Sequence, residues 1–240
     1  MSPKDQSPKA QPAKDKPATE LFPADSKGIS PYYPKQLIDI FVAPGQFFSA
    51  QAALGKPLNV WIASLLIGFS SVFYGISNVV VLFKQGNEDL KPPPEILSSW
   101  GELWLFLLVG GFVLGIILWI VGGWWFRVRL VLSGAPEPDG QMARLVYIYS
   151  TLVRSLPAFI TLLVWSFLYP NLDVAYEQGA LFVSQFLSAI FLFGELITAY
   201  IGIKTLFSVD RARAMLWFVF APAVMYAVSL GDDILSDLYL

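Results

Sequence analysis

The stretch LWLFLLVGGFVLGIILWIVGGWWF, Leu103 to Phe126, runs for 24 residues without a charge. As an α-helix it would reach roughly 36 Å, enough to cross the roughly 30 Å hydrocarbon core of a bilayer. A soluble core has no need of so long an uncharged run. Four further stretches have the same character: Pro57 to Phe83, Ser155 to Leu172, Gln178 to Gly194 (continuing past Glu195 to Ile203), and Ala214 to Gly231. Together they predict an all-α, polytopic membrane bundle of five transmembrane helices.

The segments between these stretches sort the basic residues by side. Numbering them alternately inside and outside puts 14 of the 16 Lys and Arg on one side, leaving only Lys84 and Lys91 on the other. Short cytoplasmic segments carry the Lys and Arg excess, so the amino terminus is expected in the cytoplasm and the carboxyl terminus outside. Indole rings prefer the lipid–water interfaces and offer an independent check. Trp61, Trp124, Trp125 and Trp217 fall at proposed inner ends, and Trp100, Trp104 and Trp165 at or near outer ends, while Trp119 falls inside a span.

Composition agrees with a membrane class: 55% of the 240 residues are hydrophobic, 14% are charged, and mean hydropathy is +0.58. There is no cysteine and no histidine. That removes disulfides, thiolate chemistry, His-based acid catalysis, His-ligated haem and the usual zinc geometries. No phosphate-binding loop, nucleophile elbow or nucleic-acid surface is visible, and no cofactor is expected. The first 36 residues hold no apolar segment of the signal-peptide kind, so the first span is expected to act as an uncleaved insertion signal.

Four regions follow from these patterns. Residues 1–34, rich in Lys, Pro, Ser and Ala, bury too little apolar surface to offset ordering entropy and read as a disordered cytoplasmic arm. It is either a solvated tail or a contact for anionic lipid or a partner. Residues 35–56 form an amphipathic interfacial segment, with a short helix beginning at Pro44, a residue suited to a first helical turn. Its apolar face, Phe47 and Phe48 included, either lies in the inner headgroup region or packs beneath the bundle. Residues 57–231 are the five-helix membrane domain, and residues 232–240 an acidic outer tail. Within the domain, SGAPEPDG at Ser133 to Gly140 enforces a turn, and Gln141 to Ser155 then resumes helical character. Pro157 should kink the third span and Pro222 the fifth.

Glu195 is a carboxylate inside a span, where charge is costly and usually faces a partner or a wet cavity. Counting rise from the inner helix ends brings Arg154 to a similar depth, so the two should face one another. Such a pair either locks the third and fourth spans together or lines an ion or proton path. Gly111 and Gly115 give the second span a GxxxG contact, with Gly122 and Gly123 nearer its inner end. Gly68 and Gly75 are expected to supply the matching groove on the first span. Arg127, Arg129, Lys204, Arg211 and Arg213, with Lys35, form an inner basic rim that sets topology and is a candidate site for anionic lipid headgroups.

Several of these segments resemble a known family. VAPGQFFSAQAALGKP (Val42 to Pro57), a glycine-rich second span, YIYSTLVRSLP (Tyr147 to Pro157) and YIGIKTLFSVDRARAMLW (Tyr200 to Trp217) stand in the order seen in the Yip family of Ypt/Rab-interacting membrane proteins. The resemblance covers about residues 37 to 231 and rests on loose patterns, not catalytic signatures. It implies five spans, a cytoplasmic amino terminus, a short outer tail and a role in organising or shaping membranes. The arm here is short and poor in aromatic residues, so a small-GTPase partner is not carried over. The prokaryotic branch implies a bacterial inner (cytoplasmic) membrane. The expected function is a non-enzymatic scaffold or accessory subunit, with membrane lipids and protein partners or further copies of the chain as its company. The rival is an ion or small-solute transporter using Glu195 and Arg154, although no internal repeat or paired broken helices support it. A lipid-handling factor is also compatible with these residues.

Overall fold

The structure, a computed structural model, describes residues 34–53, 60–84 and 98–228. The amino-terminal arm, the Lys84 to Glu95 outer loop beyond its first residue, and the acidic tail fall outside the described residues, as do Lys56 and the Trp61 side chain. Every described element is helical. In chain order these are α1 (Pro34–Val42), α2 (Pro44–Ala53), α3 (Val60–Lys84), α4 (Trp100–Ile117), a π turn (Leu118–Gly122), α5 (Gly123–Leu132), α6 (Gly140–Leu168), α7 (Leu172–Glu177), α8 (Ala180–Leu206) and α9 (Arg211–Met215). A second π turn, Leu216–Phe220, joins α9 to α10, residues 221–228.

Four helical stretches are long and apolar enough to cross a membrane: Trp100–Leu132, Gly140–Leu168, Phe186–Leu206 and Arg211–Val228. They fit an integral membrane protein. In α3 the apolar helix among the described residues is shorter, Ile62–Ser77.

The ends of these helices are set by side chains in the expected turns. After α5, the Ala135 amide donates to the Leu130 carbonyl at 3.1 Å and the Gly134 amide to Val131 at 2.9 Å. Gly134 takes φ +87° to make this closure, a conformation that L side chains rarely adopt. The Asp139 carboxylate then accepts from the Gln141 amide at 2.6 Å and starts α6. Asn171 caps α7 and Asp210 caps α9 in the same manner, accepting from Val174 at 2.9 Å and Arg213 at 2.9 Å. The turn after α5 and the turn before α9 also meet, with the Asp210 amide donating to the Ser133 carbonyl at 3.0 Å.

Two predicted boundaries move. The third apolar stretch was expected from Ser155 to Leu172 on a helix resuming at Gln141; the helix runs from Gly140, includes Arg144 and ends at Leu168. Arg144 is accommodated because its guanidinium lies 4.8 Å from the centre of the Trp119 ring, an interaction that offsets part of the cost of a charge within a helix bundle. The fourth span starts at Ala180, after Gly179 at φ +84°, with α7 filling the outer connection. The helix of α6 continues through Pro157.

Close helix contacts rest on glycine. A Cβ on Gly68 would strike the Gly111 carbonyl and lie 2.7 Å from the Gly115 nitrogen, while one on Gly115 would lie 2.8 Å from the Ser64 carbonyl. Thus α3 and α4 cross backbone to backbone, which lets dispersion and weak polar contacts act where lipid supplies no hydrophobic drive. Gly75 does not join this groove: a Cβ there would meet nothing within 4 Å. Seven residues correspond to nearly two helical turns, yet Gly75 is exposed where Gly68 is buried. Gly122 lies under the Tyr147 ring and Gly123 under the Arg144 side chain, which seats α6 against α5.

The described core has two parts. One joins Ile40, Phe47 and Phe48 of α1 and α2 to Val146, Ile148 and Leu152 of α6 and Ile203 of α8. Phe48 is fully buried, and a Cβ on Gly202 would lie 2.6 Å from its ring, so α2 packs against α8 beneath the bundle. The other gathers Phe73, Leu103, Leu107, Leu162, Trp165 and Tyr176. There the Ser77 and Tyr176 hydroxyls meet at 2.7 Å, and burial raises the Tyr176 phenol above the ordinary tyrosine range. The Trp100 indole also donates to the Tyr169 carbonyl at 2.8 Å.

Candidate functional site

Polar residues on α6 recur at Tyr147, Thr151 and Arg154, a spacing that puts them on one helical face. Leu192, Glu195, Leu196 and Ala199 form the facing stripe of α8, where Gly194 brings the helices close: its Cβ position is 3.2 Å from Val153. Glu195 is therefore directed at α6. The Arg154 Nε lies 3.3 Å from Glu195 Oε2, and the Thr151 hydroxyl donates to Glu195 Oε1 at 3.0 Å. The Thr151 contact is a hydrogen bond; the Arg154 contact is a charge pairing in which neither Nε nor Oε2 has a hydrogen-bond partner among the described residues. Arg154 is 28% and Glu195 17% exposed, so neither charge is in bulk solvent. Above the pair, the Arg154 guanidinium stands 5.9 Å from the Tyr74 ring of α3.

Arg154 lies 14 residues beyond Gly140, roughly 21 Å of rise. It is the midpoint of that helix, a position where an unpaired charge would be most costly.

The pair forms one wall of a cleft of about 350 Å³ between α5, α6, α8 and the C-terminal helix. Arg129, Ser150 and Tyr226 add polar groups, and Phe126, Leu192, Phe218, Pro222 and Met225 supply apolar lining. Sequence reasoning placed Arg129 on the inner rim with Arg127. The structure turns it inward instead, and the reason lies in Pro222. Within the second π turn the Ala221 amide donates to the Leu216 carbonyl, five residues back. In that register the next donor would be residue 222, bonding to Trp217, but proline has no amide hydrogen. The Arg129 guanidinium donates to the Trp217 carbonyl in its place, with Nε at 2.9 Å. The same guanidinium lies 4.2 Å from the Phe218 ring centre and 5.7 Å from that of Phe126. This π turn lies just ahead of Pro222.

The remaining rim residues stay apart from the cleft. Arg127 Nε donates to the Pro138 carbonyl at 3.0 Å, tying down the turn before α6. Lys204 lies 5.8 Å from the Tyr200 ring centre, and Arg211 and Arg213 are exposed at the start of α9. Gly111 and Gly115 belong to the α3–α4 crossing. Among the described residues, no group of three or more His, Cys, Asp or Glu side chains is arranged to hold a metal ion.

Thr151, Tyr147 and Arg129 were not singled out as members of the site. Their signals are present, in the spacing of the first two with Arg154 and in the amide that Pro222 withholds. No family model, no curated protein and no solved structure matches this chain. The Yip resemblance accordingly rests on the motifs quoted above.

Proposed function

We propose that the chain is a non-enzymatic, five-span membrane protein of the Yip type, acting as a scaffold or accessory subunit that holds lipids and partner proteins around it. The supporting observation is that Glu195, a carboxylate within an apolar helix, meets α6 through one hydrogen bond, from Thr151, and one charge contact, with Arg154. That arrangement ties α8 to α6. In this reading α3, helical from Val60 to Lys84, is the fifth span, supported by roughly 37 Å of rise. The amino terminus is cytoplasmic and the carboxyl terminus outside, on the strength of the basic-residue asymmetry. The host membrane is a bacterial inner membrane, on the strength of the family resemblance alone.

Gentle solubilisation of the tagged chain from its native membrane tests this. A particle containing further copies or stoichiometric companions is expected, and a monodisperse monomer without companions contradicts it. The second reading, an ion or solute transporter, draws on the cleft beside Arg154 and Glu195. Liposome flux abolished by Glu195→Gln in a normally folded protein would establish that reading and remove the first.

A further inference from the structure

The cleft holds an unbalanced charge. Two guanidinium groups, Arg129 and Arg154, line it against one acidic residue, Glu195, which is paired with Arg154. The positive charge of Arg129 is met by the Trp217 carbonyl and two aromatic faces, none of which neutralises it. In surroundings of low dielectric an uncompensated cation favours an anion strongly, because the attraction is little screened and the desolvation cost is already met by the fold. The volume of about 350 Å³ lies within the range of small-ligand sites, and Phe126, Leu192, Pro222 and Met225 supply apolar lining beside the hydroxyls of Ser150 and Tyr226.

The C-terminal helix leaves this cleft accessible from the bilayer. Only 11% of its apolar window is buried, and Met225 at the cleft margin is 74% exposed. A ligand with an anionic head and an apolar body matches both the charge and the walls. We propose that the cleft between α6, α8 and the C-terminal helix is a binding site for a phosphate anion carried on a phospholipid, with Arg129 and Arg154 as its cationic partners. The apolar body of the lipid leaves over Pro222 and Met225. This site rests on placing the helices in a bilayer, as above, and is separate from the inner rim, where exposed cations would attract anionic lipid without a cavity.

The test is native mass spectrometry of the full chain in detergent, with phosphatidylglycerol, phosphatidylcholine or inorganic phosphate added separately. The wild type should retain phosphatidylglycerol over phosphatidylcholine. Arg129→Gln should weaken retention at least about tenfold, the worth of one charge-assisted hydrogen bond. Glu195→Gln should strengthen it by removing the opposing charge, an effect of opposite sign that damage to the fold does not produce. Equal retention of the two lipids, or retention unaltered by both substitutions, overturns the site. Saturation by inorganic phosphate with no retained phosphatidylglycerol overturns the lipid as the source of the anion. Alkaline carbonate extraction separates the underlying assumption: a chain that stays in the membrane without lipid preference refutes this site alone, and a released chain refutes the bilayer placement too.

Discussion

Helix α6 and the C-terminal helix are both apolar enough to cross a membrane, yet they are held by different means. In α6, 39% of the apolar window is buried and its side chains reach both parts of the core; in Arg211–Val228 the figure is 11%. The first is fixed by packing on several sides. The second leans on Phe218, which is fully buried against Phe126, and on one guanidinium that fills the hydrogen-bond position left by a proline. Where packing is thin, a polar tie carries more of the attachment, and a cleft opens beside it.

Disrupting the packed side should have the largest effect. Gly68→Leu would force α3 and α4 apart at a backbone contact, and a loss of about 3 kcal/mol or more is expected in a reversible unfolding assay in bicelles. Breaking the polar side is milder. Arg129→Gln should cost about 1–2 kcal/mol, with faster hydrogen exchange over residues 214–228 while α6 stays protected. The smallest change sharpens the contrast. Pro222→Ala restores an amide to the position that Arg129 serves, so Arg129→Gln should cost less in that background, by about 0.5 kcal/mol or more in a double-mutant cycle. An unchanged cost would show that Arg129 does not stand in for the missing donor.

Much of the bundle was legible from the chain because uncharged runs and turn residues coincide with its helix ends: SGAPEPDG both closes α5 through Gly134 and opens α6 through Asp139. The facing of Arg154 and Glu195 was legible too, since two charges in apolar spans have few other ways to be satisfied. Arg144 falls in the stretch expected to be helical ahead of the third span, and what the sequence does not show is the Trp119 ring stacked upon it. Gly75 misled because a small residue records the possibility of a close contact and not whether a neighbour reaches it. Arg129 was read by its side of the membrane, whereas its direction depends on a proline 93 residues later.

The central claim is that the charges within the bundle hold helices together. A double-mutant cycle on Arg154 and Glu195, measured as unfolding free energy in a bilayer mimic, tests it most directly. Either single change to Gln should destabilise by about 3 kcal/mol, because it leaves an uncompensated buried charge, and the double change should be no worse than either. Losses that simply add, or single changes that leave stability untouched, would contradict the claim.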